Sequence, residues 1–230
     1  MKRLFIMIAV MTATVSIKAQ DKVEANISAD ITSQYIWRGV ECGQVSLQPT
    51  LGLAYKGLSL TAWGNVGLSV PEDVKEFDLT LGYEVGGFNV GITDYYFNTN
   101  PHYFNYKSEE TSHMYEGFAG YDFGVASIAW YTVFAGCDGT NGSDKRAYSS
   151  YFEANVPFRL AGLDWNATVG LVPYTSSLYG ADGFSVTNIA LKATKELHIT
   201  DSFTLPVFAG INTNPESKQA HFLFGFTIQP

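Results

Sequence analysis

The chain has 230 residues, of which 46% are hydrophobic and only 16% are charged, and its formal net charge is −8. An acidic chain without a basic cluster excludes a nucleic-acid-binding protein, because that function needs grouped Lys and Arg side chains. Ordinary soluble domains have about 25% charged residues, so this composition argues against a typical soluble surface. After the first twenty residues, no apolar stretch reaches the roughly 18 residues of a transmembrane helix.

The N-terminus is typical of a signal peptide over residues 1–19. Lys2 and Arg3 form the positive region, Leu4–Val10 the apolar region, and Ala19 is the small residue before a cut at Gln20. We therefore expect export by the general secretory route. The exported chain, residues 20–230, is predicted to be a single domain.

The first exported segment alternates strictly between two kinds of side chain. A period of two indicates a β-strand, because successive side chains point to opposite faces. About fifteen residues of alternation is much longer than the usual strand of about five or six. Behind a signal peptide, this length predicts a strand of an outer-membrane barrel. The apolar face has Val23, Ala25, Ile27, Ala29, Ile31, Tyr35 and Trp37, and the polar face has Glu24, Asn26, Ser28, Asp30, Thr32, Gln34 and Arg38.

Eleven further segments show one mainly apolar face each. We predict an all-β, transmembrane, antiparallel up-and-down barrel of about 12 strands, with ten and fourteen as alternatives because the sixth and tenth segments are weak. The segments are Val45–Lys56, Leu58–Leu68, Phe77–Val85, Phe88–Ile92, Tyr115–Tyr121, Ile128–Phe134, Tyr148–Phe158, Leu163–Leu171, Ile189–Ala193, Phe203–Ile211 and Phe222–Ile228.

The connections alternate between short turns and mostly long, polar loops. This asymmetry, together with an even strand count, is the pattern of bacterial outer-membrane barrels. The predicted inner turns lie near Gly57, Gly86-Gly87, 122–124, 159–162 and 195–202. The predicted outer loops lie near 39–44, 69–76, 98–111, 136–146, 174–183 and 212–219.

A secreted soluble β-sandwich or barrel is the alternative, because periodicity does not say which face points inward. The polar faces carry Ser, Thr, Asn and Gly rather than the Lys- and Glu-rich coat of a soluble surface, which favours a membrane barrel. Aromatic side chains near strand ends suit the girdles at the two lipid–water boundaries. Those predicted for the girdles are Tyr35, Trp37, Tyr55, Phe77, Phe88, Phe158, Trp165 and Phe203.

The first hairpin resembles the opening of the TorF-type porins of Gram-negative bacteria. Those proteins have a Ser-x-Tyr-x-x-Arg-Gly segment followed shortly by Gln-Pro. The matching residues in this chain are Ser33, Tyr35, Arg38, Gly39, Gln48 and Pro49. The resemblance covers only this hairpin, and it implies an outer-membrane barrel with a porin role but no particular substrate.

If the apolar faces contact lipid, the opposite faces line the lumen. Acidic groups dominate there, and carboxylates around a narrow pore favour cations, so we expect weak cation selectivity. The alternative is that Arg38, Lys56 and Lys192 pair with the carboxylates and fill the lumen. The predicted pore-lining residues are Glu24, Asp30, Gln34, Arg38, Asp78, Glu84, Glu116, Glu153, Asn155, Asp164, Asn166 and Lys192.

Three functions stay open at this point. The first is a passive channel for small solutes or ions, and the second is a plugged barrel that binds a ligand or partner through its outer loops. The third is a lipid-active enzyme, which would need a lipid-facing histidine with a serine partner. No such pair is identified, so we predict that the protein is not an enzyme. Outer-membrane lipids and lipopolysaccharide are the expected surroundings, and the oligomeric state is left open.

No cofactor or metal is expected. His102 and His113 share a loop with Glu109 and Glu110, but their spacing matches no metal motif such as HExxH. Cys42 and Cys137 both lie in predicted outer loops. An exported protein can form disulfides, and we hypothesise a bridge across the barrel mouth, with two free thiols as the alternative.

Overall fold

The chain folds into a closed barrel of twelve antiparallel strands with a small hairpin inside it. The computed structural model describes residues 22–69, 73–97, 102–107, 110–201 and 203–230, so the predicted signal peptide lies outside the described residues. A short 3₁₀ helix covers Ser177–Tyr179. The strands are β1 Glu24–Thr32, β2 Tyr35–Trp37, β3 Val40–Gly43, β4 Ser46–Tyr55, β5 Leu58–Gly67, β6 Lys75–Val85, β7 Phe88–Phe97, β8 His113–Asp122, β9 Ser127–Gly136, β10 Ser150–Leu160, β11 Leu163–Val172, β12 Ser185–His198, β13 Thr204–Asn214 and β14 Gln219–Ile228.

Strand β1 closes the barrel because it pairs with a strand on each side. Ile27 lies opposite Leu51 of β4, and Ile31 lies opposite Phe226 of β14. The other strands pair with their neighbours in chain order from β4 to β14. The predicted all-β barrel of twelve strands is confirmed. The two weak segments are full strands: the sixth is β8, and the tenth is the 14-residue β12.

One end of the barrel has short connections, and we call it the short-turn end. Lys56-Gly57, Gly86-Gly87 and Ala161-Gly162 each join two strands with positive φ at both residues, for example 54° and 76° in the last pair. Positive φ at both central positions is what a type I′ turn requires, and this turn matches the twist of a hairpin. The other end, which we call the loop end, has the longer connections.

The apolar faces of the strands point out of the barrel. Ile27, Leu51 and Ile211 are 61%, 54% and 54% exposed on β1, β4 and β13. The polar residues that alternate with them face the lumen, so the structure decides the question that periodicity left open. An exposed apolar belt of this extent is typical of a surface that contacts lipid. No helix in the described part of the chain is long and apolar enough to cross a membrane.

The prediction of one continuous first strand up to Arg38 is wrong. Strand β1 ends at Thr32, and residues 35–43 form a separate two-stranded hairpin inside the lumen, which we call the inner hairpin. Tyr35 and Trp37, predicted for the lipid face and the girdle, are only 4% and 7% exposed. The physical reason is that Tyr35, Ile36 and Trp37 are three apolar residues in succession. They break the period of two and are all buried together.

Candidate functional site in the lumen

The tip of the inner hairpin places one arginine in the middle of the lumen. Arg38 and Gly39 form the tip with φ of 51° and 84°. The Arg38 guanidinium donates from Nη1 to Glu116 Oε1 at 2.7 Å and from Nη2 to Glu116 Oε2 at 2.8 Å. It also donates to the Tyr179 hydroxyl at 2.6 Å. Two parallel charge-assisted bonds to one carboxylate are the strongest arrangement available to arginine.

Aromatic rings surround this ion pair. The Arg38 guanidinium carbon lies 4.6 Å from the ring centroid of Trp37, 4.1 Å from that of Tyr131 and 4.8 Å from that of Tyr151. Cation–π attraction of this kind strengthens when water is excluded. Glu116 is fully buried, and its Oε2 also accepts a bond from the Tyr95 hydroxyl at 2.8 Å. Both charged groups therefore have hydrogen-bond partners although they are buried.

The same rings belong to a hydrophobic core inside the barrel. A second long connection contributes to it, because the loop after β11 carries the 3₁₀ helix inward and Tyr179 stacks on Trp37 at 5.4 Å. This loop was predicted to lie outside, and so was the one after β1, but parts of both fill the lumen. The buried members are Tyr35, Trp37, Tyr95, Met114, Ala129, Tyr131, Val133, Tyr151, Val172, Tyr179 and Ala181.

The base of the inner hairpin contacts a second acidic group. Tyr35 donates its hydroxyl to Glu76 Oε2 at 3.0 Å. Asp78, two residues along β6 and on the same face, is 2% exposed. Two neighbouring buried carboxyl groups do not both ionise readily, so the pair carries at most about one negative charge, and that charge attracts cations to this side of the lumen.

A cavity of about 140 Å³ remains between the inner hairpin and the wall formed by β10 to β14. Five of the residues predicted to line the pore come together around it: Arg38, Glu153, Asn155, Asn166 and Lys192. Asn155 donates to Glu153 at 2.7 Å and accepts from Asn166 at 3.0 Å, so these polar groups form a connected network.

The remaining predicted pore residues are spread along the barrel. Asp30 accepts from Thr227 at 2.6 Å, and Asp164 lies 3.6 Å from Arg159 near the short-turn end. Gln34 lies in the connection between β1 and the inner hairpin. Glu24 is exposed and Glu84 is partly buried. Asp30 also interacts electrostatically with Lys192 at the cavity, whereas the structure does not bring four of the predicted residues together: Glu24, Gln34, Glu84 and Asp164.

Sequence reasoning missed several lumen residues. Glu76, Asn188 and Asn212 each lie one residue outside a predicted segment, because the strands are longer than predicted. They share the inward face of their strands with Asp78, Lys192 and Gly210, so extending the period of two by one residue would have found them. Tyr179 had no such signal, because it lies in a loop and is buried only through contacts with distant strands.

One histidine has an unexpected position on the outside of the barrel. His113 was assigned to the longest outer loop, but it begins β8 and lies opposite Tyr96, on the outward face. Its Nδ1 is 2.8 Å from Asp94 Oδ1 and its Nε2 is 2.6 Å from the carbonyl oxygen of Tyr103. Both ring nitrogens are thus engaged, so neither is placed to activate a serine. In the described part of the chain, no group of three His, Cys, Asp or Glu side chains could hold a metal ion.

Cys42 and Cys137 are both partly buried beside the aromatic core. Both are free thiols in the structure, so the hypothesised bridge is not formed in it. Cys42 contacts the carbonyl oxygen of Val40 through its Sγ at 3.8 Å.

Comparison with known proteins identifies no family for the chain. No known family model matches the chain, and no curated protein matches it. A solved structure of an outer membrane channel from Pseudomonas putida F1 aligns with 89% of this chain and 92% of its own, at 11% identity and a TM-score of 0.39. The resemblance of the first hairpin to the TorF-type porins stays a prediction.

Proposed function

We propose that the protein is an outer-membrane channel for small solutes or ions that is closed at rest by its inner hairpin. The observation that carries this proposal is the position of Arg38, which ties the hairpin tip to Glu116 on the opposite wall. The outward apolar belt supports a place in the outer membrane, among lipids and lipopolysaccharide. The long connections would face the cell exterior.

The ion pair explains why the channel would stay closed. Moving the hairpin separates Arg38 from Glu116 and leaves two buried charges without partners. Breaking a buried pair in this way costs about 3–5 kcal/mol. The rings around Arg38 add cation–π contacts that are lost in the same step. Opening is therefore a rare event unless a ligand or the membrane environment favours it.

Carboxyl groups without a basic partner among the described residues support a weak preference for cations in the open state. Arg38 neutralises Glu116, whereas the carboxyl pair formed by Glu76 and Asp78 on one face of β6 meets the neutral Tyr35 hydroxyl. A lumen wall with excess carboxylates attracts cations and repels anions.

Planar-bilayer recording of the refolded exported chain tests this proposal. Wild type is expected to show brief, infrequent openings, with a reversal potential that indicates cation preference in a salt gradient. A variant with residues 34–44 replaced by a short Gly-Ser linker is expected to show steady conductance. The β1–β4 ladder does not use those residues, so the barrel can still close.

Two results would contradict the proposal. A shortened variant that inserts without conducting would mean that the barrel is not a solute path, and steady anion-selective current would refute the selectivity. The first result would favour the second candidate, a plugged barrel that binds a partner at its loop end. That candidate is supported by Phe104 and Tyr106, which are 82% and 57% exposed in the loop between β7 and β8.

A further inference from the structure

The cavity beside the inner hairpin has an unusual lining, because several of its polar groups are amides. Asn155, Asn166, Asn188 and Asn212 all contribute to it, from four successive strands. The amide oxygens of Asn166, Asn188 and Asn212 are buried and find no hydrogen-bond partner among the described residues. An unsatisfied buried acceptor is costly, so a group of three indicates that something else supplies donors there.

Neighbouring side chains hold two of these amides in place. Asn188 uses its Nδ2 to donate to the Tyr151 hydroxyl at 3.0 Å. Asn166 uses its Nδ2 to donate to Asn155 at 3.0 Å and to Thr168 at 3.1 Å. Because the Nδ2 group of each amide is already hydrogen-bonded, the side chain is fixed and its Oδ1 atom has no partner among the described residues. The acceptors are thus oriented before any ligand arrives, which reduces the entropic cost of binding.

Each charged group at the cavity already has a hydrogen-bond or ionic partner. Arg38 is paired with Glu116, and Glu153 accepts hydrogen bonds from Tyr151 at 2.9 Å and from Asn155 at 2.7 Å. Lys192 lies over the Phe208 ring at 4.0 Å and interacts electrostatically with Asp30. A charged ligand would have to displace these partners, whereas a neutral ligand with several hydroxyl donors fits the unpaired amide oxygens.

We propose that this cavity, which we call the amide cavity, binds an uncharged polyhydroxyl solute of about the size of one hexose. Its volume of about 140 Å³ corresponds to about five water molecules at roughly 30 Å³ each, which is on the scale of one hexose ring. Hydroxyl groups donate to the amide oxygens and also accept from Lys192. Ile36 and Leu223, which line the same space, offer apolar surface to the C–H face of the ring. The inference deepens the proposed function, since it names the class of solute that the channel would hold.

Isothermal titration calorimetry tests the proposal, with D-glucose as the probe and the refolded chain in a detergent without a sugar headgroup. Wild type is expected to bind one glucose with a millimolar Kd. Asn212→Leu removes one unpaired buried acceptor at similar volume and is expected to weaken binding about tenfold, the effect of one hydrogen bond. The matched control is Asn89→Ala, because Asn89 also has a buried amide oxygen without a partner but lies outside this cavity.

Saturation-transfer NMR on wild type with glucose keeps the test independent of the folding of any variant. Contact signals from the sugar C–H groups support the proposal. No binding at about 100 mM glucose, equal binding by Asn212→Leu, or binding of glycine betaine or glutamate in place of glucose would each overturn it. Because these assays need no bilayer, a chain that conducts without binding glucose refutes only this inference. A chain that binds glucose without conducting refutes only the channel.

Discussion

Replacing Arg38 by methionine should release the inner hairpin. The substitution removes the bonds to Glu116 at 2.7 and 2.8 Å and the bond to Tyr179 at 2.6 Å. Glu116, which is fully buried, is left as an uncompensated charge, and such a loss costs about 3–5 kcal/mol. Since about 1.4 kcal/mol is a factor of ten, the ratio of closed to open channels should fall by about 100-fold or more.

The assay is the open probability of single channels in a planar bilayer. The matched control is Arg159→Met, since Arg159 also pairs with a carboxylate, Asp164 at 3.6 Å, but both side chains are largely exposed. Exposed pairs contribute only about 0–1 kcal/mol, so the control should gate like wild type.

A double-mutant cycle isolates the ion pair. Glu116→Gln alone leaves the Arg38 charge without its partner, whereas the double variant Arg38→Met/Glu116→Gln leaves no unpaired buried charge. The double variant should therefore be less perturbed than the sum of the two single variants. If Arg38→Met remains as closed as wild type, Arg38 does not lock the hairpin and the reasoning from burial is refuted.

Three further predictions concern the hairpin tip, the outer belt and the thiols. Gly39→Ala should raise the open probability, because φ is positive there and a Cβ would collide with a backbone carbonyl of β12. Gly162→Ala, with positive φ but open space around it, should leave gating unchanged. Leu51→Arg places a charge in the apolar belt and should destabilise the inserted barrel by about 2–4 kcal/mol, as urea titration with gel-shift detection would show; an unchanged midpoint would argue against lipid contact at β4. Burial raises the pKa of the Cys137 thiol, so less thiolate is present at pH 8. Alkylation of Cys137 in the folded chain should therefore be slower than alkylation of a solvent-exposed thiol. Intact mass should show that Cys42 and Cys137 both alkylate after unfolding without reductant, whereas a need for reductant would establish the bridge.

The barrel itself could be predicted from local pattern. Each strand needs only its own period of two, and each short turn needs only residues that tolerate positive φ, such as Gly86-Gly87. These signals lie within about ten residues of sequence, so the strand count and the two ends of the barrel follow from them. The outward direction of the apolar face required the structure, because alternation is the same in a soluble barrel.

The contents of the lumen could not be predicted in the same way. The packing of Trp37 depends on Tyr95 and Tyr179, which are distant in sequence and belong to another strand and a loop. Parity placed Arg38 on a polar face, but its partner depends on how far the inner hairpin crosses the barrel. The run Tyr35–Trp37 nevertheless indicated that the first strand ends before it, because three successive apolar residues do not fit a strand with one polar face.

Hydrogen–deuterium exchange of the native chain in lipid nanodiscs tests whether the inner hairpin packs inside the barrel. An isolated two-stranded hairpin is only marginally stable in water, so strong protection requires packing. We predict that the amides of residues 35–43 exchange as slowly as those of β4, while those of residues 102–107 exchange rapidly. Exchange of residues 35–43 as fast as that of the 102–107 loop would contradict it.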